Sequence, residues 1–140
     1  MTSEEELQRF TELQTLALDA ARHGEARELL PMLDAGMPLN LRDAKGNSLL
    51  MLAAYNGHTE LTRDLLTRGA DPDARNDANQ TPLAGVAFKG YREIVLLLLA
   101  AGADPAADQG GGRTPEMFAT MFGHTEIAGL ISRAAAVQVE

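Results

Sequence analysis

The sequence predicts an all-α solenoid of four stacked helix-turn-helix repeats with a 33-residue period, joined by hairpin loops and closed by capping end repeats. Three observations predict it. Gly24, Gly57, Gly90 and Gly123 recur every 33 residues, and Gly36, Gly69 and Gly102 form a second ladder with the same period. Ser48, Thr81 and Thr114 repeat in the same register, as do Glu60, Glu93 and Glu126, with GHTE at 57–60 and again at 123–126 and GYRE at 90–93 between them. Matching columns of this kind mark tandem units, each burying its apolar face against the next. One domain is expected over 1–140: a capping repeat over about 10–42 with a helical extension at 3–10, inner repeats over 43–75 and 76–108, and a second cap over 109–140.

At the N-terminus, Ser3-Glu4-Glu5-Glu6 reads as a capping box that opens a long first helix. Leu7, Phe10 and Leu13 continue its apolar stripe, which is expected to shield the open end of the stack. Asp19 stands where the inner repeats carry an apolar residue, giving a polar end repeat. In the inner units TPL at 81–83 and Thr114-Pro115 start a helix: the hydroxyl accepts a backbone N–H, and proline suits a first position that needs no donor. That helix has about eight residues before Gly90 or Gly123, where a left-handed turn favours glycine. The second helix follows at once, with apolar residues such as Leu61, Leu65 and Leu66 at helical spacing, and Gly69 and Gly102 stop it. ADPDARNDANQ at 70–80 is rich in turn formers, with Asn79 in place of a turn glycine. No hairpin follows the last helix, and the tail AAAVQVE is expected to fray.

These motifs resemble the ankyrin repeat family, whose 33-residue unit carries a T-P-L-H-x-A-A signature, a G-H-x-E turn and a G-A-D-x-N hairpin. The matching residues are TPL at 81–83, Ala53-Ala54, GHTE twice and GAD at 69–71 and 102–104, and the resemblance covers about residues 12–134. Two departures stand out. The family's histidine after TPL is replaced by Leu18, Met51, Ala84 and Met117, which puts its hydrogen bonding between repeats in doubt. Gly85 stands where the family has a core leucine, so the third repeat is expected to be soft, and Gly85→Ala is expected not to lower the melting temperature.

Chemistry is scarce along the chain. It has no cysteine, so neither a disulfide, a thiolate zinc site nor a cysteine nucleophile is available. His58 and His124 share one repeat position and read as structural; DPDARND at 71–77 lacks the glycine and closing glutamate of a calcium loop; GGG at 110–112 lacks the lysine of a phosphate loop. Ser3, Ser48 and Ser132 are the only serines, and none lies in a nucleophile elbow. No enzyme activity, metal or cofactor is expected. The net charge of −8 argues against nucleic acid as a partner. The longest apolar run, Ile94 to Ala101, is far short of the roughly 20 residues that span a bilayer. The acidic start, MTSEEELQRF, lacks a secretory h-region, so a cytoplasmic location is expected, and the preference for Arg over Lys hints at a bacterial source.

The resemblance implies that another protein binds a concave face made by hairpin tips and the exposed ends of the first helices. Carried over by register, that face holds Arg22, His23, Lys45, Asn47, Tyr55, Asn56, Arg68, Asp77, Gln80, Phe88, Lys89, Arg113, Met121 and Phe122, together with Ala35, Ala44, Ala78, Ala101, Gly110, Gly111 and Ala134. Five of the twelve basic residues fall in this set but only one of the twenty acidic ones, and Tyr55, Phe88 and Phe122 are three of six aromatics. Aromatic and arginine side chains are common interface anchors. The expected function is therefore a monomeric protein-interaction module that takes an acidic segment, with Tyr55, Phe88 and Phe122 as anchors and Arg68, Lys89 and Arg113 as steering charges. A dedicated inhibitor of one enzyme, of the antitoxin or immunity type, and an exported effector acting on host proteins remain open.

Overall fold

The computed structural model describes residues 2–139, which form eight helices in four pairs: α1 Ser3–His23 with α2 Ala26–Asp34, α3 Leu49–Tyr55 with α4 Thr59–Thr67, α5 Pro82–Lys89 with α6 Arg92–Ala100, and α7 Pro115–Met121 with α8 Thr125–Val139. The first helices α1, α3, α5 and α7 stack in one row, and α4, α6 and α8 in a second. Buried Leu29, Leu49, Leu50, Leu65, Leu83, Ile94, Leu98 and Ile131 run as one core through the stack. This is the solenoid that the glycine ladders predict.

Each inner first helix starts as its sequence requires. The hydroxyls of Ser48, Thr81 and Thr114 accept from the backbone N–H of Met51, Ala84 and Met117 at 3.0, 3.2 and 3.4 Å. A cap of this kind contributes about 1 kcal/mol, and Pro82 and Pro115 fill the first helical positions. Each turn between paired helices is left-handed. A Cβ added at Gly24 would lie 2.4 Å from His58 Nδ1, and one at Gly90 2.5 Å from His124 Cε1. These histidine rings pass over the preceding turn: His58 Nε2 donates to the Arg22 carbonyl at 2.8 Å and His124 Nε2 to the Phe88 carbonyl at 3.1 Å. The link between repeats that the missing histidine after TPL put in doubt is thus made from the GHTE turn instead. Tyr91 takes this place in the third repeat, its ring against Gly57.

The hairpins are joined in the same fashion. Asn79 adopts φ +64° between the corresponding Gly46 and Gly112, as its turn position requires. Arg42 Nη1 donates to the Arg75 carbonyl at 2.5 Å, and Arg75 Nη1 to the Asp108 carbonyl at 2.8 Å, a ladder one repeat per rung. Asp43 accepts from the backbone N–H of Lys45 and Asn47, both at 2.9 Å, and Asn76 Oδ1 accepts from those of Ala78 and Gln80, both at 3.0 Å.

Three expectations need correction. The capping box is Thr2–Glu5 rather than Ser3–Glu6: Thr2 Oγ1 accepts from Glu5 N–H and Thr2 N–H donates to Glu5, both at 3.2 Å. Both pairs have the required spacing, and the earlier start puts Glu4, Glu5 and Glu6 all in the first turn, beside the positive end of the helix dipole. The apolar stripe of α1 does not shield the stack. Leu7, Phe10 and Leu13 are 66%, 45% and 36% exposed, and burial begins only at Ala17. At 1.5 Å per residue the 21-residue α1 is about three times as long as its 7-residue neighbour α3, so its first turns overhang. The tail is helical through Val139, because the alanines extending α8 are strong helix formers; Glu140 lies outside the described residues.

Candidate functional site

The ends of the first helices set a diagonal pattern of side chains. Tyr55 and Phe88 hold one repeat position, Lys89 and Phe122 the next, and each of the latter reaches back one repeat. Lys89 Nζ lies 4.8 Å from the centroid of the Tyr55 ring. Phe122 meets Phe88 edge-to-face, with centroids 4.4 Å apart and planes at 70°. Such contacts contribute about 0.5–1 kcal/mol each at exposed sites. Tyr55 and Phe88 still remain 36% exposed, Phe122 49% and Met121 63%. The rings are therefore steadied by their neighbours while keeping a free face.

Charge on this surface is less uniform than the sequence count implies. Arg22 pairs with Asp19 at 2.7 Å and Asp43 at 3.6 Å, and Arg68 pairs with Asp34 at 2.8 Å. All three carboxylates lie outside the carried-over positions, so Arg68 is not the unpaired steering charge expected from its column. Lys45, Lys89 and Arg113 have no carboxylate within 4.0 Å among the described residues. Arg113 Nε donates to the Gly110 carbonyl at 3.0 Å, which holds its guanidinium at the hairpin.

The polar members divide between structure and surface. Asn47 Nδ2 donates to Asp43 at 3.2 Å, and Asn76 Nδ2 donates to both Asn47 Oδ1 and Gln80 Oε1 at 2.9 Å, so Asn47 and Gln80 brace the hairpins. Asn56 Nδ2 donates to the Leu52 carbonyl at 2.7 Å and finishes α3. Asp77 lies over Gly46, where an added Cβ would come within 2.4 Å of its Oδ1. His23 is exposed and its Nδ1 donates to the Asp19 carbonyl at 2.8 Å. Asp43 itself is held below the usual carboxylate range: burial alone would raise it, but the hydrogen bonds from Asn47 and Lys45 and the Arg22 charge outweigh that.

Two clefts flank the Tyr55 ring. One of about 560 Å³ lies between hairpins, with Lys45, Asn47, Met51, Tyr55, Asp77 and Gln80 among its lining residues. The other, about 160 Å³, is bounded by Tyr55, Gln80, Gly85, Phe88, Gln109 and Phe118. Tyr55 and Gln80 belong to both. Met51, Gly85, Gln109 and Phe118 escaped the register argument. Met51 and Gly85 gave signals, as departures from the family's columns, and the space Gly85 leaves is not a void: Tyr55 Cδ1 would be 3.0 Å from an added Cβ.

Among the described residues, no group of three or more His, Asp or Glu could hold a metal ion, and no helix is long and apolar enough to cross a membrane. A family model for ankyrin repeats in three copies matches residues 16–109 and 50–139. An ankyrin repeat protein of Pseudomonas aeruginosa is 53% identical over 45 residues, which are 32% of this chain and 26% of that protein, so the match spans about a quarter of the relative's length. Ankyrin repeats generally serve as protein-interaction modules, and the matched segments join the helix pairs, turns and hairpins described above in one assignment: the chain belongs to the ankyrin repeat family.

Proposed function

We propose that the chain is a non-enzymatic, monomeric binding module whose concave face holds an acidic segment of a partner protein. The observation that carries this reading is the pairing of cations without carboxylate partners with partly exposed rings. Lys89 lies over Tyr55, Lys45 borders the adjoining cleft, and Arg113 stands on the hairpin of the repeat that carries Phe122. Rings supply contact area for little lost entropy, while unpaired cations favour carboxylates and accelerate encounter. A net charge of −8 over the whole chain turns nucleic acid away from the remaining surface.

The test is capture of a protein partner by the immobilised chain, compared with a folded Tyr55→Ala, Phe88→Ala, Lys89→Glu variant across a salt series. Loss of capture in the variant and at least tenfold weaker binding at high salt support the reading. A partner held equally by both forms places binding elsewhere, and salt-independent binding lost in the variant removes the acidic segment while retaining the face.

A further inference from the structure

The smaller cleft beside Tyr55 has the make-up of a pocket for one side chain. Its volume of about 160 Å³ is that of roughly five waters at ~30 Å³ each. Tyr55, Phe88 and Phe118 furnish apolar walls, and Gly85 contributes no side chain to the space between them. In the repeats on either side the matching positions hold Leu52 and Phe118. Gly85 is in the middle of α5 with an ordinary helical backbone, so no turn explains the glycine there. What it does is let the Tyr55 ring settle against α5 and leave the cleft open.

Gln109 adds a polar requirement. The residue is only 6% exposed, yet its side-chain amide has no hydrogen-bond partner among the described residues, in contrast to the engaged Asn76 of the same repeat position. No fully buried side-chain N or O atom among those residues lacks a partner, so the Gln109 amide is not sealed from solvent, and the residue lines the cleft. An occupant that expelled this water without replacing its hydrogen bonds would be penalised. A peptide backbone offers both an N–H and a C=O next to an inserted side chain, and an amide can bind both. Lys89, over the shared Tyr55 wall, stands beside the cleft with no carboxylate of its own.

We infer that the cleft beside Gly85, shaped by the seat that Gly85 gives the Tyr55 ring, takes one aliphatic side chain of a partner peptide, that Gln109 binds that residue's backbone, and that Lys89 takes a neighbouring carboxylate. The recognised feature is an acidic residue beside a leucine, isoleucine or methionine in an extended segment. This deepens the acidic-segment reading and rests on it. An aliphatic side chain fits between the three rings that bound the space, and enrichment of aromatic side chains in its place would overturn that choice.

A random peptide library displayed on phage, selected on the full chain, tests this directly. Enriched peptides are resynthesised with a fluorescent label and measured against wild type, Gly85→Leu, Gly85→Ala and Lys89→Glu, each shown by circular dichroism to be folded. The expected result is a shared acidic–aliphatic pair, with binding at least tenfold weaker to Gly85→Leu and Lys89→Glu and a smaller loss with Gly85→Ala, which also serves if the leucine variant does not fold. Selection on Phe118→Ala should shift the preferred side chain toward Phe or Trp, a change that general loosening of the repeat would not produce. Peptides that lose affinity for Lys89→Glu but not for the Gly85 variants overturn the pocket and leave the acidic-segment reading standing. Peptides indifferent to all variants overturn both. An absence of enrichment overturns the pocket as a reader of short segments, and partner capture remains the separate test of the face.

Discussion

Asp43 shows how much of a hairpin can depend on one carboxylate. It gathers two backbone N–H groups and the Asn47 amide, with Arg22 3.6 Å away, and is held below the usual carboxylate range despite its burial. Since its pKa is lower folded than unfolded, its stabilisation is complete above about pH 4 and fades as pH falls through the folded value. Asp43→Ala should cost about 1–2 kcal/mol at neutral pH in a denaturant titration and flatten the acid limb of stability. Asp43→Asn should cost less, because Asn76 performs the same capping through its Oδ1 in the next repeat. Glycines divide as sharply. Gly90 combines φ +80° with a histidine ring 2.5 Å from an added Cβ, so Gly90→Ala should lower stability by at least about 2 kcal/mol. Gly85→Ala gains about 1 kcal/mol of helix propensity and meets only the edge of the part-exposed Tyr55 ring, which can yield. Its melting temperature should stay level or rise slightly while that of Gly90→Ala falls.

Among the helices, α1 departs furthest from what its sequence suggests. Its apolar stripe is real, but Leu7 and Phe10 stay 66% and 45% exposed. The double substitution Leu7→Ala, Phe10→Ala should therefore change global stability by less than about 0.5 kcal/mol, and amides of the first turns should exchange much faster than those of α3 and α5. A loss of several kcal/mol would mean that the stripe is covered after all. Periodicity tells which face of a helix is apolar, not whether a neighbour is long enough to reach it. The repeats themselves were legible because each column states its role several times: Ser48, Thr81 and Thr114 all cap, and the turn glycines are all left-handed. The proposed binding face was legible only as positions. Its contacts run between different columns about 34 residues apart, as in Arg68 with Asp34 and Phe122 with Phe88, so charges counted column by column look free when they are paired. Gly85 and Gln109 were harder still, since a cleft is defined by what surrounds it rather than by a motif.

On the outer face of α7 the repeat changes two letters. Leu50 and Leu83 are at most 1% exposed, and Ala54 and Ala87 fully buried, because each inner first helix is covered on both sides. The same positions in α7 are Glu116 and Thr120, both exposed, with the Thr120 hydroxyl donating back to the Glu116 carbonyl at 2.9 Å. A polar outer face is what keeps a terminal repeat from seeking another. Replacing Glu116 by Leu and Thr120 by Ala restores the inner-repeat surface on the outside of the stack, where nothing covers it. Two such surfaces can bury one another across a two-fold axis. The variant should sediment as a species whose mass rises with concentration, while the wild type stays at the monomer mass. The charge repulsion from a net −8 should make that association stronger in high salt. Peptide or partner binding should be unchanged, because Glu116 and Thr120 line neither cleft beside Tyr55. A wild type that dimerises while the variant does not would show that α7 ends in an interface, with Glu116 and Thr120 as its contacts rather than its guard.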